Sequence, residues 1–342
     1  MTSRELAHRP RGQRWFIAAA IGVTATAALS GCATGESPAH EASPHATTSA
    51  APKGTVTVQE ADRLLDHYEA VNNKANKAQD ARLLGTVEGG QVYEQSKADF
   101  QQWDTKSAKE QRQYEKSWFY VDRTYLIPPQ GTNWFAVSAR ISDSKTKAMA
   151  IMAKTDGTWK VVASLALEDG ATLPKIDTSN HGLVTPVKSS VRSGILAGSG
   201  LSDAYEDLFE TGGSKAGKAI DQKGGLAKDA LEVYHDRNKG KDARMATLEY
   251  NRTQPRHDEV FALRLADGGV LALAPTAHKS TFALKPAYYF NYQITPSKEA
   301  SVYNSAKRPV VVTEYQGMVM AELPTRGKAE LVAREYRLVD AQ

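Results

Sequence analysis

The sequence predicts an α+β protein in which two similar units follow one another, each with helices first and an antiparallel sheet second. Apolar residues recur at helical spacing over Val56–Trp103, and two-residue alternation replaces that spacing over Trp118–Leu167. The same order returns over Val187–Leu338. Because a parallel sheet would need helices between its strands, this grouping favours α+β with antiparallel sheets.

The chain begins with a segment typical of protein export. Residues 1–14 carry four arginines against one acid, and an uncharged, largely apolar run follows over Trp15–Leu29. A basic start, an apolar stretch and a small-residue exit form an export signal. The run is shorter than the roughly 20 residues that a membrane-crossing helix needs. We therefore predict that residues 1–31 are a signal peptide.

The segment Leu29-Ser30-Gly31-Cys32 closes this leader. It resembles the lipobox of bacterial lipoproteins, and the resemblance implies that Cys32 carries a diacylglyceryl group and becomes the new N-terminus. Two acyl chains hold a protein on a bilayer, since each buried methylene contributes about 0.8 kcal/mol. We expect a lipid-anchored protein on the extracytoplasmic face of the cell membrane. The alternative is a plain secretory signal with an incidental cysteine.

Cys32 is also the only cysteine of the chain, which excludes a disulfide within the chain and a cysteine-based metal or redox centre. Three of the four net positive charges lie in residues 1–32, and no run rich in lysine and arginine occurs after them. The sequence therefore predicts no nucleic-acid partner. We also predict no metal and no cofactor, because the histidines of the folded part lack partners at metal-ligand spacing.

A tether separates the lipid site from the folded part. Residues 33–54 contain no aromatic and no large aliphatic side chain, so they cannot bury enough apolar surface to fold. We predict a flexible tether over residues 32–55 that reaches roughly 25–30 Å.

The first unit is predicted over residues 56–170. A helix begins near Val58 with Thr57 as its N-cap, and a second helical stretch covers Val92–Trp103 after the break at Gly89-Gly90. About four strands follow, and Asp156-Gly157 predicts a hairpin between the last two.

Residues 171–186 are predicted to link this unit to the second, over residues 187–342. Helices are expected at Val187–Glu210 and Leu226–Tyr234. The strand patterns that follow are Ala246–Tyr250, Glu259–Leu265, Val270–Leu273, Thr281–Lys285, Tyr288–Ile294, Val310–Tyr315, Met318–Leu323 and Ala329–Leu338.

This order of elements resembles the cone-shaped α+β roll of nuclear-transport-factor and ketosteroid-isomerase-like proteins. The leader, tether and composition resemble uncharacterised lipoproteins of actinomycete envelopes. The roll resemblance implies a small apolar ligand or a protein partner, although a fold does not fix a function.

The densest aromatic patch lies in the second unit, and its candidate contact residues are Tyr288, Phe290 and Tyr292. Large, rigid side chains with a polar tip suit binding surfaces. They also suit strands for packing reasons alone. We predict a non-catalytic binding module for a small apolar ligand or an envelope protein.

The alternative is an acid–base enzyme, isomerase-like or hydrolase-like, that uses a cavity carboxylate of one roll. No catalytic residue is assigned. The candidates for that role are Asp66, Tyr68, Asp122 and Tyr125 in the first unit and Tyr288 and Tyr292 in the second. Asp122 also fits an outward strand position paired with a neighbour. The solute receptor of a transporter is disfavoured, because βαβ alternation is missing.

Overall fold

The computed structural model describes residues 4–7, 52–168 and 171–342. The predicted lipid site Cys32 lies outside these ranges. So do most of the predicted signal peptide and most of the predicted tether.

The first half of the folded part opens with helices. Thr57 caps the first of them as predicted, since its side chain accepts a hydrogen bond from the Glu60 amide at 3.1 Å. The break at Gly89-Gly90 ends one helical region and starts the next. The helices are α1 (Val58–Ala78), α2 (Ala81–Leu84), α3 (Gly90–Gln101) and α4 (Ala108–Glu115).

A four-stranded antiparallel meander follows, and α1 and α3 pack against it. Asp156 and Gly157 have φ values of 50° and 80° and form the predicted hairpin turn. The strands are β2 (Tyr120–Leu126), β3 (Trp134–Ile141), β4 (Lys147–Thr155) and β5 (Thr158–Ala166), and they neighbour one another in that order. The predicted helices-then-sheet order of this half is confirmed.

The second half has a shorter first helix than the sequence predicts. The helix expected over Val187–Glu210 begins only at Leu201, and two-residue strands pair in a small hairpin before it. Glycines at positions 194, 198 and 200 disfavour the helix there, and Gly194 has a φ of 57°. The elements are β6 (Arg192–Ser193), β7 (Leu196–Ala197), α5 (Leu201–Glu210), α6 (Gly225–Asp236) and the later helix α7 (Lys298–Tyr303).

The strands of this half build a five-stranded antiparallel sheet in which β9 and β8 both pair with β10, followed by β12 and β13. Outside that sheet, β11 runs parallel to the short strand β1 (Arg4–Ala7). The strands are β8 (Ala246–Arg252), β9 (Phe261–Arg264), β10 (Val270–Leu284), β11 (Tyr292–Thr295), β12 (Val310–Leu323) and β13 (Glu330–Ala341).

Two predicted pairs of strands are single long strands. Pro275 does not interrupt β10 and Gly317 does not interrupt β12, and Thr276 faces Gly317 across the ladder. A Cβ on Gly317 would lie 2.6 Å from the Glu335 carbonyl oxygen and 2.7 Å from Thr276 Oγ1. The glycine therefore marks a close approach of neighbouring strands and not the end of one.

The largest buried cluster draws side chains from both halves. It contains Phe135 and Leu165 of the first sheet together with Leu273 of the second. The rings of Trp134 and Phe261 meet edge to face at 5.4 Å between the two sheets. The halves therefore contact each other through apolar side chains.

Helix α3 joins the halves through amide side chains. Gln91 Nε2 lies 2.9 Å from Gln316 Oε1 and 3.1 Å from each of the carbonyl oxygens of Thr276 and Gly317. Gln95 Nε2 donates to the Gln316 carbonyl at 3.2 Å. One side of α3 therefore faces the second sheet. The domain boundaries proposed from the sequence stay a prediction.

Candidate functional site

A cavity of about 380 Å³ lies between α1, α3 and α4, the first sheet and the edge formed by β13. Its size falls near the lower end of the roughly 300–1,000 Å³ that ligand sites occupy. The residues that line it include Tyr68, Glu88, Asp99, Trp118, Tyr120 and Ala166, with Glu335 and Arg337 from the second half.

Glu88 is held in this cavity by the backbone around it. The amide of Gly89 donates to the Val161 carbonyl at 2.9 Å, and the Val161 amide donates to the Val87 carbonyl at 2.9 Å. Gly90 has a φ of 55°, and a Cβ there would lie 3.1 Å from the Val162 carbonyl oxygen. The diglycine therefore lets the chain turn tightly against β5 and fixes the residue before it.

The Glu88 carboxyl is 2% exposed, and its two oxygens are in different situations. Oε1 accepts hydrogen bonds from the Tyr68 hydroxyl at 3.1 Å and from Asn72 Nδ2 at 3.0 Å. Asn76 holds Asn72 in turn, with 2.7 Å from its Nδ2 to Asn72 Oδ1. Oε2 has no hydrogen-bond partner among the described residues.

Burial raises the pKa of Glu88 to about 7, although the neighbouring hydroxyls of Ser96 and Tyr68 and the Asn72 amide favour the charged form. Within the described part of the chain, no lysine, arginine or histidine forms an ion pair with it. The carboxyl can therefore gain or lose a proton near neutral pH at a buried position in the cavity.

Three of the four aromatic rings that line the cavity pack against one another. Trp118 meets Tyr68 edge to face at 6.2 Å and Tyr120 edge to face at 5.0 Å. Asn73 holds the Trp118 backbone by accepting from its amide at 3.1 Å and donating to its carbonyl at 2.8 Å. The Tyr120 hydroxyl lies 2.9 Å from Ser164 Oγ. The aromatic surface is therefore fixed in place by polar contacts behind it.

Another part of the cavity lining consists of charged side chains that pair with one another. Asp99 receives hydrogen bonds from Lys106 Nζ at 2.8 Å, the Tyr114 hydroxyl at 2.6 Å and Arg337 Nε at 3.1 Å. Burial alone would raise the pKa of Asp99, but the charges of Arg337 and Lys106 outweigh it and lower the pKa. Arg337 Nη2 also lies 2.7 Å from Glu335 Oε1. Both acids therefore have a cationic partner, whereas Glu88 has none in the described part of the chain.

The whole cavity lies within a segment that matches a known family. A family described as "Domain of unknown function (DUF8094)" matches residues 52–342. The chain belongs to this family. It is also 29% identical over 289 residues to an uncharacterized lipoprotein of Streptomyces coelicolor, covering 80% of this chain and 78% of that protein. No solved structure matches the chain.

The match agrees with the predicted resemblance to uncharacterised actinomycete lipoproteins. Among the residues that the structure describes, no helix combines the length and apolar content that crossing a membrane requires.

Of the four first-unit residues that the sequence suggests for acid–base chemistry, one lies in the cavity. Tyr68 lines it, whereas Asp66 forms a surface ion pair with Arg123 at 2.7 Å. Asp122 pairs with Arg140 at 2.8 Å on the outside, which is the alternative that the sequence left open. Tyr125 donates to Asp62 at 2.5 Å away from the cavity.

The aromatic patch is not a single strand. Pro286–Tyr288 forms a short 3-10 helix, and β11 begins only at Tyr292. Tyr288 and Tyr292 pack on a small buried cluster with their rings 5.7 Å apart, while Phe290 is 98% exposed. The structure therefore does not bring these three side chains to one face, and their role in binding stays a prediction.

The other half contains a buried acid beside a histidine. His278 Nδ1 is 2.9 Å from Glu206 Oε2, and the imidazole stacks between Phe209 at 5.7 Å and Tyr315 at 5.0 Å. This pair joins α5 to β10. In the described ranges, no group of three or more His, Cys, Asp or Glu side chains is placed to hold a metal ion.

Proposed function

We propose that this protein is a lipoprotein, anchored through Cys32 on the extracytoplasmic face of the cell membrane, that binds a small ligand in the cavity around Glu88. The lipobox resemblance of Leu29–Cys32 and the lipoprotein name of the Streptomyces relative support the anchor. The anchor proposal includes a signal peptide over residues 1–31. The cavity supports the binding role.

One observation carries the binding role: Glu88 lines the cavity, and its buried Oε2 has no hydrogen-bond partner among the described residues. A buried polar group without a hydrogen bond costs about 1–3 kcal/mol, and more when it is charged. A ligand that donates a hydrogen bond to this oxygen would remove that cost. The aromatic rings beside it offer apolar contact for the rest of the ligand.

The test is a substitution that fills the cavity and leaves Glu88 unchanged. Ala166 lies at the end of β5 and lines the cavity, so Ala166→Phe should occupy the space of a ligand. Ala287 is exposed in the short 3-10 helix Pro286–Tyr288 and does not line the cavity, so Ala287→Phe is the matched control.

Thermal unfolding is followed with one-ring amines, alcohols and carboxylates, represented by benzylamine, benzyl alcohol and benzoate. A compound present at ten times its Kd stabilises by about 1.4 kcal/mol, which is roughly 2–4 °C for a chain of this size. We expect such a shift for the wild type and the control and none for Ala166→Phe. Equal responses of all three proteins, or none from any, would reject the proposal.

A second candidate function is acid–base catalysis with Glu88 as the base. The observation that favours it is the pKa of about 7, which matches a proton-transfer group working near neutral pH. The assay is exchange of the protons next to the carbonyl of cyclohexanone in heavy water. Catalysed exchange that Glu88→Gln abolishes would support the enzyme, and exchange at the uncatalysed rate would leave binding alone.

The roll resemblance is part of this proposal. Helices on one face of a four-stranded antiparallel sheet, with a cavity between them, support a relation of the first half to the nuclear-transport-factor-like roll. An envelope protein as the partner, meeting the exposed Phe290, is the remaining possibility. Crosslinking of the membrane-anchored form from a photoreactive group at position 290 would reveal such a partner.

A further inference from the structure

We infer that the ligand of this cavity is an organic cation, whose ammonium group contacts Glu88 Oε2 and whose apolar body lies against Trp118, Tyr68 and Tyr120. This inference rests on the proposed binding function and adds the chemical class of the ligand. Two features of the cavity carry it, the charge balance of its acids and the composition of the wall beside Glu88.

The first feature is that the buried acids of the cavity differ in whether they have a cationic partner. Asp99 has two cationic partners, Lys106 and Arg337, and Glu335 shares the second of them. Glu88 has only neutral groups around it: Tyr68 and Asn72 donate to one oxygen, and the Ser96 hydroxyl lies nearby. In the described chain its charge is therefore uncompensated, and an incoming cation would compensate it.

The second feature is the aromatic surface. A cation is attracted to an aromatic face within about 6 Å of the ring centre. Trp118, Tyr68 and Tyr120 form a continuous edge-to-face cluster on the cavity wall, and the Tyr68 hydroxyl is bound to the same carboxyl. Carboxylate and aromatic rings together are the surroundings that recognise ammonium groups.

An anionic ligand would meet like charge at Glu88 and lose its own hydration. A neutral donor would satisfy Oε2 but leave the charge of the carboxylate without a partner. Charge-assisted hydrogen bonds are roughly twice as strong as neutral ones. The cavity therefore selects a cation over a neutral ligand of the same shape.

Binding is coupled to a proton. At a pH below about 7, the carboxyl carries a proton that an ammonium ligand must displace to solvent. Other titratable and charged groups also face the cavity from the packed elements. They are Tyr68 on α1, Asp99 on α3, Glu110 and Tyr114 on α4, Tyr120 on β2, Glu335 and Arg337 on β13, and the exposed Lys116 and Asp143 at the rim.

The experiment is titration calorimetry of the purified full-length lipoprotein in detergent with benzylamine, benzyl alcohol and benzoate. At pH 8 we expect benzylamine to bind at least tenfold more tightly than benzyl alcohol and benzoate to bind least. Glu88→Gln should weaken benzylamine at least tenfold and change benzyl alcohol less than threefold. Glu115 is exposed on α4, and Glu115→Gln is the matched control that should change neither.

The same titration in buffers of different ionisation enthalpy counts protons. With a pKa of about 7, roughly nine-tenths of Glu88 is protonated at pH 6 and roughly one-tenth at pH 8. Benzylamine should therefore release close to one proton at pH 6 and few at pH 8. If circular dichroism shows that Glu88→Gln is unfolded, Trp118→Leu replaces it and should weaken the amine more than the alcohol.

If benzyl alcohol binds as tightly as benzylamine and no proton is released at pH 6, the inference that the ligand is a cation is wrong. The proposed binding function would still hold. Benzoate binding most tightly would overturn the cation inference as well. Failure of all three compounds to bind would reject both the cation and the binding function.

Discussion

Replacing Glu88 by glutamine is expected to stabilise the folded protein above pH 7 and to change its stability little at pH 4.5. Burial raises the pKa of this carboxyl from its ordinary value of 4.5 to about 7. Between these values the unfolded chain has released the proton and the folded chain has kept it, so the free energy of unfolding falls as pH rises. The loss is complete above pH 7 and amounts to roughly 3 kcal/mol.

Glutamine has nearly the same shape as glutamic acid and does not titrate. Its Oε1 can accept the hydrogen bonds that Tyr68 and Asn72 donate to Glu88 now. Its amide nitrogen would occupy the position of Oε2, which has no hydrogen-bond partner. A buried neutral group without a partner lowers the unfolding free energy less than a buried charge without one. We therefore expect a net gain of about 1–3 kcal/mol at pH 8.

The assay is urea unfolding of the wild type and the variant at half-unit steps from pH 4.5 to 8.5. The difference between their unfolding free energies isolates Glu88, because the other titrating groups are common to both proteins. Glu115→Gln is the control, since its side chain is exposed. A difference that does not change with pH would show that Glu88 is not the buried proton carrier, and a difference that falls with pH would reverse the assigned sign.

The remaining predictions concern the lipid anchor at Cys32, the close strand contact at Gly317 and the buried pair of Glu206 and His278. Cys32→Ala should move the protein from the membrane fraction to the culture fluid, and unchanged fractionation would contradict lipidation. Gly317→Ala should lower the unfolding free energy by about 1–3 kcal/mol, because its Cβ would lie 2.6 Å from a carbonyl oxygen; urea unfolding measures this, with Gly225→Ala, which meets no atom within 4 Å, as the neutral control. His278→Phe should lower the unfolding free energy by about 1–3 kcal/mol, because it removes the imidazole nitrogen that lies 2.9 Å from the buried Glu206 Oε2. Adding Glu206→Leu should recover most of that loss, and additive effects of the two changes in the same assay would disprove the coupling.

The parts of the fold that could be predicted from the sequence are those decided within a short window. Thr57 and Glu60 stand at the start of a helical pattern, and α1 begins there. Asp156-Gly157 can adopt positive φ, and the hairpin turns there. In both cases, the local backbone preference and the apolar pattern agree.

Local signals were misleading where distant contacts decide the structure. Gly317 looks like a strand break in the sequence, but its lack of a side chain is needed because β13 and β10 approach it closely. Helical spacing over Val187–Glu210 continued into a glycine-rich stretch that the structure uses for β6 and β7. Apolar periodicity alone does not register either effect.

The sequence does not single out Glu88 as a site residue, because distant contacts decide its surroundings as well. Its neighbours Val87 and Gly89 show only a break between two helices, and nothing local indicates that the carboxyl is 2% exposed. Its burial arises because Val161, more than 70 positions away in the sequence, binds the backbone on either side of it. The one sequence signal was a carboxylate directly before a diglycine, which fixes the backbone but not the surroundings.

The buried acids of this chain differ in a way that bears on function. Asp99 is bound by Lys106 and Arg337, and Glu206 contacts His278, so each of these carboxyls links elements of the fold. Glu88 links none through an ion pair and makes the protein less stable above neutral pH. A loss of roughly 3 kcal/mol is a large fraction of the 5–15 kcal/mol that stabilises a typical domain. A glutamine at this position would avoid that loss and still accept from Tyr68, so packing alone does not explain an acid here. A cationic ligand in the cavity does, because only a carboxylate gains from its charge.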